Sequence, residues 1–255
     1  MAHRALITHT RRTMTVTVKD TDKRPRYLHV RDRLVERIQS GSWGPGQPIP
    51  SELDIAQEFG VSQGTARMAV ATLAMENVVV RRQGLGTFVF EHTPDDELSR
   101  FSCLFDAGHE RIGAGLGDWR PLSASATRTE RRMLHLPSGS RVLRISRVRT
   151  RKGKPFALEK ISLPEARFAG LASRGNLPGT LYEIYQKDYG VHVVEAEERL
   201  TAVIADRAAA RDLKVAVGAP LLRIERVAVA LGGEPVEWRV SLCYLTDAHY
   251  RTRLR

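Results

Sequence analysis

Cysteine is scarce in this chain. Cys103 and Cys243 are the only two, they lie far apart, and neither sits at a spacing that builds a metal or dithiol site. This excludes a disulfide-stapled secreted domain and fits a reduced, cytoplasmic protein whose thiols pack as small apolar groups. Long apolar runs are also missing, and none approaches the roughly 18 residues of a membrane helix. The basic N-terminus has no apolar segment behind it, so it does not read as a secretory signal. The eight histidines are scattered without cysteine or carboxylate partners at ligand spacing. No metal and no cofactor is therefore expected. No activated nucleophile or paired-carboxylate motif stands out, which argues against the main enzyme alternative, a lyase or transferase.

What is abundant is positive charge. A formal net charge of +11 points to a polyanionic partner, but its distribution qualifies the argument. Residues 25–92 carry seven Lys/Arg against seven Asp/Glu, and residues 120–154 carry eleven bases against the single acid Glu130. Local pattern, not global charge, has to locate a nucleic-acid site.

Residues 1–24 show no apolar periodicity and read as a basic, disordered tail. Tyr27, Val30, Leu34 and Ile38 fall at helical spacing and predict a helix over 27–39, stopped by Gly41 and Gly44-Pro45-Gly46. Ser51 caps a second helix that Gly60 ends, and Ser62 caps a third. Val78-Val79-Val80 and Thr87-Phe88-Val89-Phe90 read as strands of a hairpin. Three helices and a hairpin in this order make a winged helix-turn-helix. By position the third helix reads DNA. Gln63 can pair with adenine and Arg67 with guanine or phosphate, while Thr65 and the helix N-terminus suit phosphate. Arg81 and Arg82 flank the wing, and Gly84 and Gly86 allow it a close approach to a groove. The polar stretch from His92 to Asp96 reads as a linker.

The remainder is strand-rich. Two hairpins are expected, 141–151 with 155–163 and 220–231 with 234–245, separated by helices near 179–188 and 206–213 and a strand near 191–204. The hairpins resemble each other. Arg144-Ile145, Arg147-Val148, Gly153 and Ser162-Leu163 recur 79 positions later as Arg223-Ile224, Arg226-Val227, Gly232 and Ser241-Leu242. In the first hairpin Arg147 and Arg149 continue the face of Leu143 and Ile145. Symmetric pairing sets Arg147 opposite Glu159 and Arg149 opposite Ala157. Inward arginines beside an inward carboxylate form either a buried ion pair or an anion pocket.

Several motifs occur in a known order. Pro45-Gly46, Pro50-Ser51-Glu52, Phe59-Gly60-Val61-Ser62, Thr65-Ala66-Arg67 and Gly84-x-Gly86-Thr87-Phe88-Val89 resemble the DNA-binding domain of the GntR family. Leu53 and Gln63 depart from the residues common there. Arg147-Val148-Arg149, Gly153-Lys154-Pro155, Ala157-Leu158-Glu159, Leu163-Pro164, Thr180-Leu181-Tyr182, Tyr189-Gly190, Gly218-Ala219-Pro220 and Gly233-Glu234-Pro235-Val236-Glu237 resemble the UTRA ligand-sensing domain of the HutC-like branch. The resemblance implies an α+β protein, with a winged helix-turn-helix over 25–92, a linker over 93–100, and an antiparallel-sheet domain of chorismate-lyase-like fold over 101–252. It implies a homodimeric repressor that binds an inverted repeat of operator DNA with an affinity controlled by a small anionic effector. The expected DNA-contacting set is Ser51, Glu52, Ser62, Gln63, Gly64, Thr65, Arg67, Arg81, Arg82, Gly84 and Gly86. The expected effector set is Arg147, Arg149 and Glu159, with Thr180, Tyr182, Glu237 and Arg239 in support. A constitutive repressor whose second domain only dimerises is the remaining alternative.

Overall fold

The computed structural model describes residues 24–113, 120–174 and 180–253. The tail expected over 1–24 lies outside them, apart from Arg24. The chain opens with α1 (Arg26–Gln39), α2 (Glu52–Phe59) and α3 (Gln63–Met75), then the wing strands β1 (Val79–Arg82) and β2 (Gly86–Val89). The starts of α2 and α3 are set by local caps. Ser51 Oγ accepts the Asp54 amide at 3.2 Å while the Asp54 carboxylate accepts the Ser51 amide, closing a capping box. Ser62 Oγ accepts the Thr65 amide at 3.2 Å. Between α2 and α3, Gly60 takes a left-handed φ of 62°, which a side chain would resist. Val30, Leu34 and Ile38 of α1 meet Ile55, Phe59, Ala66, Val70 and Leu73 in one apolar cluster. Residues 46–49 run beside β2, with the Val89 amide donating to the Gln47 carbonyl at 2.8 Å and the Ile49 amide to that of Thr87 at 2.9 Å.

The expected linker is itself folded, as α4 (Pro94–Phe101). After it come β3 (Leu104–Asp106), β4 (Leu122–Ser125), α5 (Arg128–Met133), β5 (Arg141–Arg151), β6 (Lys154–Pro164), α6 (Leu181–Tyr189), β7 (Val193–Ile204), α7 (Arg207–Leu213), β8 (Pro220–Ala230), β9 (Pro235–Cys243) and β10 (Ala248–Tyr250). Six strands form one antiparallel sheet in the order β4-β5-β6-β9-β8-β7, and β10 pairs with β3.

That order reads the same from both ends. The unit β4-α5-β5-β6 is matched by β7-α7-β8-β9, and the two meet where β6 pairs with β9. The match extends to detail at an offset of 79 residues. Thr127 caps α5 as Asp206 caps α7, and His135 and Lys214 both end their helix turns at positive φ, 51° and 55°. It breaks at the hairpin turns. Arg151 pairs with Lys154 around a two-residue turn, whereas Leu231-Gly232-Gly233 separate Ala230 from Glu234. The extra residue shifts β9 by one. Ser162 consequently points to the α5 side, donating to Glu130, while Ser241 points to the opposite face, so those two serines are not equivalent despite their match in sequence.

α5 and α7 cover one face of the sheet, with Leu158, Leu221 and Val142 beneath them and Leu213 of α7 packed onto it. α6 and Phe101 cover the other, over Leu143, Ile145, Ile161, Leu163 and Ala228. This second face is not uniformly apolar. Register aligns Arg147, Glu159, Ser241, Ile224 and Leu200 in one row across five strands, and Ile145, Ile161, Arg239, Arg226 and Glu198 in the next. Charges thus run through the middle of a buried surface.

Candidate functional site

Two places on the chain concentrate chemistry. The first is the outer surface of α3 and the wing. Gln63, Gly64 and Arg67 are exposed along the start of α3, and Thr65 is half-buried, its Oγ1 2.9 Å from Ser62 Oγ. Arg67 has 64% of its side chain exposed. It is nonetheless held: its Nε donates to Glu52 Oε2 at 3.0 Å, and Arg81 Nη2 of the wing donates to Glu52 Oε1 at 3.0 Å. Glu52 therefore ties the third helix to the wing through the first residue of α2. Arg82 lies 4.6 Å over the Phe88 ring. Gly84 and Gly86 take φ of 73° and 117° and leave Leu85 exposed at the tip. Ser51 and Ser62 serve as caps, so their hydroxyls are already engaged with the backbone.

The second is a cavity of about 190 Å³ on the inner face of the sheet. Arg149, Glu159, Arg239, Ser241, Arg226 and Glu198 form its floor, Thr180 its α6 side, and residues 101–104 with Tyr250 its cover. Pairing of β10 with β3 brings Tyr250 opposite Leu104 and holds that cover in place. Glu159 receives Arg147 Nε at 2.6 Å and Arg149 Nη1 at 3.2 Å, with Arg239 Nη1 at 3.8 Å. Burial opposes the Glu159 carboxylate, but Arg147, Arg239 and Arg149 hold it well below the usual carboxylate range. Glu237 chelates Arg239 through two hydrogen bonds of 2.9 and 3.0 Å and accepts the Tyr185 hydroxyl at 2.8 Å. Arg226 donates to Glu198, which also accepts the Tyr250 hydroxyl at 2.6 Å.

Arg149 stands apart from its neighbours. It is 8% exposed, its Nη2 donates to the Gly113 carbonyl, and its Nε has no hydrogen-bond partner among the described residues. Burial, and then the nearby Arg147 and Arg239, pull this guanidinium below its ordinary value against the pull of Glu159, whereas Arg239 is raised despite its burial. A buried donor left open beside excess positive charge is costly, and an anion against Arg149 in the cavity would offset the charge.

The expected effector residues divide accordingly. Arg149, Glu159, Thr180 and Arg239 reach the cavity. Arg147 is consumed by Glu159, and Tyr182 and Glu237 stand behind Arg239, with the Arg239 guanidinium 5.8 Å from the Tyr182 ring. The buried ion pair of Arg147 with Glu159 is present, and a cavity adjoins it. Sequence reasoning passed over Arg226, Glu198, Ser241, Tyr250 and the two cysteines, all of which line the cavity. Arg226 carried a signal, since it is the repeat counterpart of Arg147.

Comparison with known proteins agrees with this arrangement. The gntR family of bacterial regulatory proteins matches residues 26–89, and the UTRA domain matches residues 122–249. A probable fructoselysine utilization operon transcriptional repressor from Escherichia coli is 27% identical over 217 residues, covering 85% of this chain and 89% of the relative. The HTH-type transcriptional repressor NagR of Bacillus subtilis is 27% identical over 238 residues, covering 90% and 96%. Among solved structures, the ligand-binding domain of a GntR-family transcriptional regulator from Bordetella bronchiseptica is 30% identical with a TM-score of 0.53, over 61% of this chain and 98% of that one. PhnF from Mycobacterium smegmatis shares the fold at 22% identity and a TM-score of 0.50, over 89% and 99%. With a reading helix and wing in front and a charged cavity in the sheet behind, the chain belongs to the gntR family of bacterial regulatory proteins and carries a UTRA domain.

Proposed function

We propose that this regulator is a non-enzymatic, homodimeric operator-DNA repressor, working in the cytoplasm, whose DNA affinity is set by one small anionic effector in the cavity. The carrying observation is the open Nε of buried Arg149 within a cluster that has more arginine than glutamate. Arg147, Arg149, Arg226 and Arg239 face Glu159, Glu198 and Glu237, so the buried part of the cluster is short of one negative charge, the fourth carboxylate of the lining, Asp95, being exposed to solvent. A carboxylate or phosphate held by Arg149 would supply it, bidentately if it also reaches Arg239 or Arg226. A cavity of about 190 Å³ admits a metabolite, not a polymer. The relatives from Escherichia coli and Bacillus subtilis are named as repressors, and the Bordetella domain as ligand-binding, which supports the same assignment here. On DNA, two heads related by a two-fold axis would place their α3 helices in successive major grooves of an inverted repeat.

The test is a thermal-shift panel of small carboxylates and phosphates on the wild-type chain and on Arg149→Leu. A ligand at about 100 times its Kd stabilises the wild type by about 2.7 kcal/mol. The same ligand should leave Arg149→Leu unmoved. Equal stabilisation of both proteins, or stabilisation by neutral and cationic compounds alone, overturns the anion assignment. Sedimentation of the free chain at the mass of one protomer would overturn the homodimer.

A further inference from the structure

Gln186 lies within α6 and is 2% exposed. Its amide is saturated. Nε2 donates to the Phe90 carbonyl at 2.7 Å and to His192 Nδ1 at 2.9 Å, while Oε1 accepts the His92 amide at 2.7 Å. Turning the amide over would set its oxygen against the Phe90 carbonyl, so only one orientation works. Phe90 and His92 belong to the segment that leaves the wing, so a side chain of the sensing domain grips the main chain that carries the DNA head.

The grip continues into a second contact. The His192 carbonyl accepts the Leu231 amide at 2.7 Å, and the Leu231 carbonyl accepts Gln39 Nε2, at the end of α1, at 2.6 Å. The Leu231 side chain is buried in the apolar cluster of the DNA head that also holds Val30 and Leu34. Gln186, His192, Leu231 and Gln39 thus form one continuous network from α6 to the head.

The network also touches the cavity wall. Thr180, the cap of α6, lines the cavity, and so does Phe101 at the end of α4. The Tyr182 ring lies 5.0 Å from Phe101 and 6.0 Å from the His92 ring, and Arg239 of the cavity floor lies over it. Phe101 also lies 6.4 Å from the His92 ring, so a single ring contact separates the cavity from the gripped backbone. Coupling between sites needs an element whose arrangement both sites bias, and this is the place where both meet one element.

We infer that Gln186 is a positioning residue: it latches the DNA head against the sensing domain, and cavity occupancy acts on operator affinity by setting or releasing that latch. The second half of this inference rests on the cavity being the effector site.

The experiment uses the full chain, hydrogen–deuterium exchange, and a DNA duplex selected from a random pool by the wild-type protein. In Gln186→Leu, amide exchange should rise at least 10-fold at 90–93 and, together with it, at 36–41 and 230–234. Duplex affinity should change at least 5-fold in either direction. Acceleration confined to 90–93, or unchanged duplex affinity, overturns the latch. If that variant does not fold, Gln39→Ala, which touches no core of the sensing domain, should accelerate 230–234 and 90–93 together, and silence at 90–93 overturns it. Inorganic phosphate then probes the coupling. Calorimetric binding of phosphate that depends on Arg149 and alters exchange at 90–93 in the wild type, but leaves duplex affinity of Gln186→Leu unmoved, is the expected result. Binding without any change at 90–93 overturns the coupling. Absence of phosphate binding to the wild type counts against the anionic cavity, and the latch is then decided by the variants.

Discussion

Arg67 Nε lies 3.0 Å from Glu52 Oε2, so the arginine we propose as a base reader is already paired with a carboxylate in the free protein. The other oxygen of the same carboxylate holds Arg81 of the wing. A negative charge at a phosphate-facing surface weakens indiscriminate binding to DNA, and the pairing limits the orientations that two long side chains can sample. Glu52→Gln should therefore raise affinity for random-sequence duplex, by about 5-fold or less given the modest worth of exposed pairs, and reduce discrimination between operator and random sequence. Competition binding at two salt concentrations checks this. Unchanged discrimination would mean that Glu52 does no orienting.

Arg67→Ala should weaken operator binding about 10- to 100-fold, the cost of one base-reading contact. Its side chain is largely exposed, so thermal stability should stay within about 0.5 kcal/mol of wild type. Electrophoretic mobility shift beside calorimetry separates the two. Wild-type affinity in this variant would remove α3 from the reading position.

Arg147 and Arg149 should behave differently although they share one strand face. Arg147→Ala leaves the buried Glu159 with weaker partners and should cost about 3 kcal/mol or more of stability. Arg149→Ala opens the Nε site and should spare operator binding while abolishing the response to an anionic effector. Denaturant unfolding of both variants, with a reporter assay for induction, distinguishes them. Equal loss of stability in both would merge their roles.

Acid should weaken the fold in two stages. Burial pulls the His192 imidazole down to about 4, so it stays neutral in the folded protein where the unfolded chain protonates near pH 6.5. Its contribution is complete above about pH 6.5 and is lost as pH falls toward 4. Glu130 follows. Burial opposes its ionisation, but Arg144, Thr127 and Ser162 bring its carboxyl down to about 2, so its contribution holds above about 4.5 and fades below. Urea unfolding at stepped pH should show a decline that begins near pH 6.5. His192→Asn, which keeps an acceptor for Gln186, should delay it to about pH 4.5. A wild-type profile flat between pH 6.5 and 5 would contradict the assignment.

The sequence disclosed what local chemistry controls. Ser51, Gly60 and Ser62 mark helix ends through their own side chains or backbone freedom, and each lies where the pattern places it. Arg147 opposite Glu159 follows from a hairpin turn. α4 escaped notice because its first residues are polar, although Pro94 at a first helical position is itself a start signal. α5 carries a Thr127–Glu130 capping box that could have been read the same way. Glu198, Ser241 and Tyr250 had no local mark. They reach the cavity only through the register of β7 with β8 and of β8 with β9, and through the pairing of β10 with β3, the last of which joins residues more than a hundred positions apart.

The unequal turns of the two repeated units have an evolutionary reading. If one ancestral βαββ unit was doubled, its copies began with the same hairpin tip and the same inward face. One copy now keeps a short tip, Lys152-Gly153, and an arginine, Arg149, where its counterpart has Ala228. The other has alanine at that place and one more residue in its tip, and Leu231 of that tip is buried in the DNA head. On the reading proposed above, recognition of a metabolite and transmission of the news are divided between twin halves, and a difference of one residue in the tip accompanies the reach of one of them to its neighbour.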